Sequence, residues 1–489
     1  MADLGRAALV VSLGLAVYAL VAGGYAAHFG RRRLAGSARN ALVACFGSTL
    51  VAAAVLASAL VRHDFSFVYV ASHTNRTLPT IYALTAFWGG QEGSLLLWLL
   101  VLCGYGALAV VLNRRLHDLV TWVVPVIGGI ATFFAFVLVA VASPFDTQTA
   151  PVDGAGLTPS LQNPYMVAHP PMLYLGYVGL AIPFAFAAGA MLSGRTDERW
   201  IVATRRWTLA AWMFLGFGQI LGAHWAYVEV GWGGYYAWDP VENAALMPWL
   251  AATAFLHSVM IQERKGMLKV WNMVLVALAF ELSVFGTFLT RSGVVNSIHS
   301  FAKSPIGGWF LAFVVISSVF SLALILWRLP LLKARTKLES AISREAAFLY
   351  NNLLLVALCL TVLWGVLFPI VTQLVKGETR TMGRPYYDFF LRAFGLPLLL
   401  LMGIGPLIAW RKTSVRALAK TLVWPFVTSA IAGVVLVLIG AGTSSPGLIA
   451  YTFSAFVLGT IGVELVRGTR ATGSLFRLIS RNRRRYGGY

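Results

Sequence analysis

The chain runs as one apolar stretch after another, each long enough to cross a bilayer. A transmembrane helix needs about 20 largely apolar residues to cover roughly 30 Å of hydrocarbon. Thirteen stretches meet that length, near residues 7–28, 40–61, 93–112, 119–142, 169–192, 207–227, 244–262, 270–290, 308–327, 350–374, 389–410, 421–440 and 448–466. Charged residues make up only 11% of the 489. A soluble domain carries about 25%, so this chain lacks the charge to cover its own surface in water. A soluble enzyme, a disordered protein and a disulfide-rich secreted module are all excluded. The expected fold is all-α: a polytopic integral membrane protein of about thirteen transmembrane helices, forming one domain over residues 1–489.

The 38 Lys and Arg outnumber the 18 Asp and Glu and give a net charge of +20. A nucleic-acid-binding surface would gather such bases on one folded face. Here they sit in short runs between apolar stretches, which points to membrane lipid and to no nucleic acid. Lys and Arg concentrate in cytoplasmic loops. With the N-terminus outside, the inner segments take Arg31, Arg32, Arg33 and Arg39, Arg114 and Arg115, and the bases of 195–206, 264–269, 328–344, 411–420 and 467–485, most of the total. The N-terminus is therefore expected outside and the C-terminus in the cytoplasm. The first stretch lacks the positive leading region of a signal peptide, its arginines following it, and reads as a retained span. Cys45, Cys103 and Cys359 all fall inside apolar stretches. With no Cys-x-x-Cys pair they read as packing residues, outside any dithiol–disulfide cycle or zinc-type site.

That topology brings four unusual segments to the outer side, in 62–92, 143–169, 224–243 and 291–307. The first runs from His73-Thr-Asn-Arg76 to Phe87-Trp-Gly-Gly-Gln-Glu-Gly93, and the second holds Leu161-Gln-Asn-Pro164 and His169-Pro-Pro-Met172. The third is Trp232-Gly-Gly-Tyr-Tyr-Ala-Trp-Asp-Pro-Val-Glu-Asn243, and the fourth runs from Arg291-Ser-Gly293 to His299. Trp and Tyr gather at any membrane interface, and anchoring accounts for Trp309 and Trp327. It does not explain Trp-Gly-Gly before an aromatic run and Asp-Pro after it. Gly233 and Gly234 let the backbone lie close under a flat ligand, and Trp232, Tyr235, Tyr236 and Trp238 offer faces to stack on its rings. A planar-cofactor platform is the better reading, with interface anchoring as the alternative.

Of the eight histidines, His28, His63 and His117 sit at the ends of apolar stretches, where an interfacial imidazole is ordinary. His169 and His299 each lie at the outer mouth of a helix. A neutral imidazole ligates iron, and two from opposite sides make a six-coordinate haem. Singly, each reads as structural; as a pair flanking an aromatic platform, they read as ligands. His257 lies about thirteen residues into its stretch, roughly 20 Å deep, where an ionisable group is a functional candidate. A neutral imidazole bonded to a neighbouring helix is an equal reading. Glu281, the other deep ionisable group, is either protonated or paired with a base.

The string from Trp232 through Asn243 to Trp249 resembles the tryptophan-rich WWD signature of haem-handling proteins in cytochrome c biogenesis. Its Asp239-Pro-Val-Glu-Asn243 ending is similar to the CcmF/NrfE branch, the haem lyase subunits; the CcmC branch and the CcsA-type synthases end differently. His169-Pro-Pro-Met-Leu-Tyr-Leu-Gly-Tyr177, Trp88-Gly-Gly-Gln-Glu-Gly-Ser-Leu-Leu-Leu-Trp98 and Thr290-Arg-Ser-Gly-Val…His299-Ser-Phe-Ala302 match the same branch. The resemblance covers at least residues 70–305.

The resemblance implies a haem lyase subunit in the bacterial cytoplasmic (inner) membrane, its site facing the periplasm. Haem delivered by the chaperone CcmE would be joined to the Cys-x-x-Cys-His thiols of apocytochrome c, with thiol-handling CcmH/CcmI-type subunits as further partners. His169 and His299 would be axial ligands of the incoming haem b, on a platform of Trp232, Gly233, Gly234, Tyr235, Tyr236, Trp238 and Asp239. A second, permanent b-type haem within the membrane would take His257 as one ligand and reduce the incoming iron. Glu242 is expected to stabilise a loop, and Arg291 stays open between a loop role and a haem propionate. The chain departs from the branch in two respects. Tyr235-Tyr236-Ala237 stand where many relatives carry more tryptophan, and no histidine follows His299 to complete the permanent haem. It therefore reads as lacking the branch's C-terminal part. The alternative is a haem delivery protein of the CcmC kind, without ligation. An ion-coupled transporter would need more charge at the midplane than Glu281 and His257.

Overall fold

The computed structural model describes residues 1–231, 233–295, 297, 306–333, 340, 343–408, 415–441 and 444–481, so Trp232 and His299 lie outside the described residues. The chain divides into two compact units, Met1–Glu263 with Leu268–Lys333 and Val366–Thr381, and Arg264–Met267 with Ala334–Gly365 and Met382–Tyr489. The sequence reads as one domain because the polar segment at that division, 333–344, resembles the other basic connections between spans.

The first unit begins with α1 (Ala2–Phe29), α2 (Arg32–Val61) and two short helices, α3 (Val68–His73) and α4 (Thr80–Gly89). Then come α5 (Gln91–Leu112), α6 (His117–Ala140), α7 (Pro164–Gly179) and α8 (Ala181–Ser193). It continues through α9 (Arg199–Glu229), α10 (Pro240–Lys265), α11 (Lys269–Ser292) and α12 (Ile306–Leu332). Among the described residues, twelve helical segments are long and apolar enough to cross a membrane, α7 and α8 counting as one. They coincide with twelve of the thirteen stretches expected from sequence. The thirteenth, 207–227, lies in the 31-residue α9. Its Gly, Trp, Gln and His residues lower its apolarity, while its periodicity survives. Val202, Leu209, Met213, Phe217 and Ile220 are exposed, and Thr204, Thr208, Ala211, Leu215 and Gly218 are buried on the opposite face, the pattern of a helix with one packed side.

Helix α7 packs closely on α9. A Cβ on Gly176 would stand 2.6 Å from the Leu215 backbone nitrogen and 2.7 Å from its Cα, so only glycine admits this approach. In lipid, where apolar burial gives helices no reason to associate, such backbone proximity supplies the van der Waals contact that does.

Two buried polar clusters were not readable from spacing. Cys45 on α2 and Cys103 on α5, 58 positions apart, bring their Sγ atoms to 3.5 Å. They lie in a seam where Ser12 and Thr49 exchange a hydroxyl bond at 3.1 Å. All three cysteines are buried, as packing residues should be. Glu281, at the middle of α11, meets hydroxyls in place of a base. Its carboxyl oxygens accept from Ser317 (2.7 Å), Ser318 (3.2 Å) and Ser321 (3.2 Å) on α12.

The second unit contains α13 (Arg344–Lys376) through Gly365, α14 (Arg384–Phe390), α15 (Leu396–Ile404), α16 (Val415–Leu438), α17 (Ser445–Thr472) and α18 (Leu475–Arg481). Arg344 closes the end of α15 by donating to the carbonyls of Pro406 and, at 3.0 Å, Ile408. Ser429 of α16 donates to the Thr452 carbonyl of α17 at 2.8 Å.

Candidate functional site

The motif segments meet at one end of the first unit, and each is held there by local chemistry. The aromatic run ends in a capping box. Asp239 precedes Pro240, the first residue of α10, and its Oδ2 accepts the Val241 N–H at 2.9 Å. Three positions on, Glu242 Oε2 reaches back to the N–H groups of Asp239 (3.2 Å) and Ala237 (3.0 Å). Reciprocal capping of this kind satisfies helix-start donors that have no partner in the helix, and Pro at the first position costs no hydrogen bond there. Glu242 is thus the loop stabiliser expected of it. Asp239 does structural work as a cap and also accepts the Ser297 hydroxyl at 2.7 Å.

The aromatic segment is narrower than 224–243, since α9 continues to Glu229 and α10 starts at Pro240. Trp238 adopts a left-handed backbone, φ 61°, which a bulky residue takes only under constraint. Asn243 provides it. Its Nδ2 donates to the Trp238 carbonyl and its Oδ1 accepts the Tyr236 hydroxyl, both at 3.0 Å. The Tyr236 and Trp238 rings meet edge-on at 5.1 Å. Tyr235 is 55% exposed and stacks on Tyr227 with centroids 4.5 Å apart. The backbone at Gly233 and Gly234 is open, for a Cβ on either would meet nothing within 4 Å.

His169 stands inside α7, about one and a half turns from its start, because the helix begins at Pro164. The cap is Asn163, whose side chain accepts the Tyr165 N–H at 2.9 Å. The loop expected over 143–169 therefore ends before the histidine. His169 Nδ1 lies 2.7 Å from the carbonyl oxygen of Gly218 on α9. A carbonyl only accepts, so Nδ1 carries the proton and Nε2 holds the lone pair, the tautomer a metal-binding imidazole needs. The ring's seat is Gly222, one turn further along α9, where a Cβ would stand 2.4 Å from His169 Cε1. Two more bonds join this end of α7 and its approach to α9: Asn163 Nδ2 to Glu229 Oε1 at 2.5 Å, and Trp225 Nε1 to the Ser160 carbonyl at 2.9 Å.

The Trp-Gly-Gly-Gln-Glu-Gly segment works as a mount. The buried Tyr69 hydroxyl lies 2.8 and 3.1 Å from the carbonyls of Ala86 and Phe87 and accepts the Gly90 N–H at 3.0 Å. Burial pushes this phenol well above its usual range, which keeps it the proton donor those carbonyls require. A Cβ on Gly90 would strike His73 Nε2 at 2.3 Å, so this glycine serves packing and not a flat ligand. The mounted Trp88 directs Nε1 to the Met166 carbonyl, 3.2 Å away. Arg291, 3% exposed, donates to Ser94 Oγ at 2.7 Å and to the Tyr174 hydroxyl at 2.8 Å, clamping the end of α11 to α5 and α7. The loops 62–92 and 143–169 are also joined, since Asp153 accepts the Arg76 N–H at 2.9 Å. Backbone N–H groups hold that carboxyl below its usual range, so the tie is present at neutral pH and is lost as pH falls through the lowered value.

His224 is a residue the sequence reading passed over. Its ring meets Tyr165 edge-on at 4.4 Å and stacks towards Tyr235 at 6.3 Å, placing it beside the aromatic run. The only cue in sequence was its position eight residues before Trp232. His257 lies elsewhere. Capping at Asp239 starts α10 four residues earlier than the apolar stretch suggested, so His257 is about 26 Å along the helix and nearer its far end, Lys265. It shares a helical face with Thr253, whose hydroxyl accepts Trp212 Nε1 at 2.8 Å.

The profile of the cytochrome c assembly protein family matches residues 88–295, the span holding these segments. Over 441 residues the chain is 39% identical to CcmF of Escherichia coli, covering 89% of this chain and 68% of that one. The chain belongs to the CcmF family. Its likeness to CycK of Rhizobium meliloti is 41% over 423 residues, covering 86% of this chain and 62% of that protein. NrfE of Haemophilus influenzae is 36% identical over 73% of this chain and 57% of its own length. A solved structure titled cytochrome c haem lyase CcmF superposes with a TM-score of 0.78 at 32% identity, covering 96% of this chain and 72% of that one. This CcmF relative thus spans roughly two thirds of the length of its curated counterparts.

Proposed function

We propose that the chain is a haem lyase subunit of cytochrome c maturation. It takes haem at the end of the first unit that carries His169 and residues 233–239, and joins it to the Cys-x-x-Cys-His thiols of apocytochrome c. The observation that carries this reading is the His169 imidazole, pinned through Nδ1 to Gly218 beside an exposed aromatic run, in a member of the CcmF family. Haem is the substrate. His169 would hold its iron from one side through Nε2 and His299 from the other, while Tyr235, Tyr236 and Trp238 cover the macrocycle and Asp239 holds the start of α10 in place. A fixed macrocycle turns thiol addition into a problem of approach, and positioning of this kind removes much of a bimolecular barrier. Each thiol adds across one vinyl group. A C–S bond forms, the thiol proton goes to the neighbouring carbon, and no net oxidation occurs.

With the N-terminus outside, as the distribution of Lys and Arg favours, this end would face the periplasm, where the chaperone CcmE would bring haem and CcmH/CcmI-type subunits would keep the thiols reduced. The test is transfer in membranes containing this chain, supplied with haem-loaded chaperone and a reduced Cys-x-x-Cys-His peptide. Covalent haem on the peptide, with a pyridine haemochrome shifted from b-type to c-type, is the expected result. Haem uptake without any covalent product would leave only a delivery role.

His257 is proposed as one ligand of a resident b-type haem. Among the described residues it is the one imidazole well inside a span, so it would supply one axial ligand. The optical spectrum of the purified chain beside its His257→Ala variant checks it. A low-spin b-type spectrum that vanishes in the variant is expected, and a spectrum that survives would assign the haem to another histidine.

A further inference from the structure

We propose that Trp88 is a positioning residue for His169, acting as a substitute donor for a backbone bond that proline removes. The inference rests on the reading of His169 as a haem ligand. In an uninterrupted helix the N–H of residue 170 would donate to the Met166 carbonyl, closing the turn that contains His169. Residue 170 is proline and has no N–H to give. The carbonyl is part-buried in the first turn of a packed helix, where an unsatisfied acceptor is costly. Trp88 Nε1 donates to it at 3.2 Å. The indole thus replaces the missing bond of the very turn from which the imidazole projects.

Two features make this a device and not a chance contact. The indole is rigidly based, because Tyr69 ties together the carbonyls of Ala86 and Phe87 and the Gly90 N–H on either side of it. The imidazole is held from the opposite side by the Gly218 carbonyl. His169 therefore sits in a turn fixed between α4 and α9, and its Nε2 direction depends on both. The Trp88 and His169-Pro170-Pro171 segments, 81 positions apart in sequence, form one positioning unit. The proline that opens the turn also makes it depend on a residue from another helix.

The test is a two-residue cycle read by haem binding. The full chain in detergent is titrated with haemin and followed by difference spectra and by electron paramagnetic resonance of the ferric iron. Trp88→Phe keeps an aromatic ring and removes the N–H. At unchanged protein levels it should weaken haemin binding roughly fivefold, the scale of one hydrogen bond, and broaden the low-spin signal. Pro170→Ala restores a backbone N–H for Met166. In that background Trp88→Phe should cost little, the two changes coupling as groups sharing one acceptor do. If His169→Ala alters the spectrum while Trp88→Phe binds haemin as the wild type does, the positioning role is overturned and the ligand reading stands. If Trp88→Phe weakens binding and Pro170→Ala fails to rescue it, the effect is one of packing and the proposal again falls. If His169→Ala itself changes nothing, the ligand reading fails and takes this inference with it.

Discussion

Alanine at His169 is expected to abolish cytochrome c maturation while leaving the chain in the membrane at its normal level. The side chain is only half-buried, and its Nδ1 bonds a Gly218 carbonyl within α9, one that the helix itself also satisfies. Removing the ring therefore leaves that carbonyl bonded and opens little void, and the fold should tolerate it. Iron coordination has no such substitute. One lost axial ligand changes both haem affinity and the electron count at the metal, so the effect on maturation should be a fall to background. Alanine at His299 is expected to do the same. The measurement is haem-stained c-type cytochrome in a maturation-deficient strain carrying each variant, beside an immunoblot of the membrane fraction. Normal cytochrome in both single variants would remove the axial-ligand assignment.

The second large effect requires no change to any ligand. Gly222→Ala would place a methyl carbon 2.4 Å from His169 Cε1 and 2.8 Å from its Nδ1. Withdrawing the α9 backbone would give up the close packing that Gly176 makes against Leu215. The imidazole must turn instead, and turning breaks the bond that sets its tautomer. Maturation should fall at least tenfold, about 1.4 kcal/mol or more of lost substrate positioning. Read by haemin affinity, the double variant Gly222→Ala with His169→Ala should be no worse than His169→Ala alone, since both act through one ring. A Gly222→Ala chain that matures cytochrome c normally would show that the Gly218 bond does not direct the imidazole. An additive double variant would show that Gly222 acts elsewhere.

The sequence carried the membrane class, the number of spans to within one, and the segments that form the site. These are one-dimensional properties: about 20 apolar residues make a span wherever they occur, and the Asp239–Glu242 box starts a helix from four adjacent positions. Even α9 was legible by length, although its packed face of small and polar residues dilutes the apolarity by which spans are recognised. The two units, in contrast, leave no distinct mark, because the basic segment 333–344 at their division resembles the other connections between spans. The partners of the site residues were equally hidden, because each depends on which helix lies alongside. His169 finds Gly218 across 49 positions, Arg291 finds Ser94 across 197, and Cys45 finds Cys103 across 58. A proline or glycine in the sequence announces that a backbone bond or a side chain is missing. Only packing determines what fills the gap: an indole at Met166, an imidazole over Gly222, a neighbouring backbone at Gly176. The sequence thus names the groups proposed to hold haem, and the helix packing gives one of them, His169, a defined tautomer and direction.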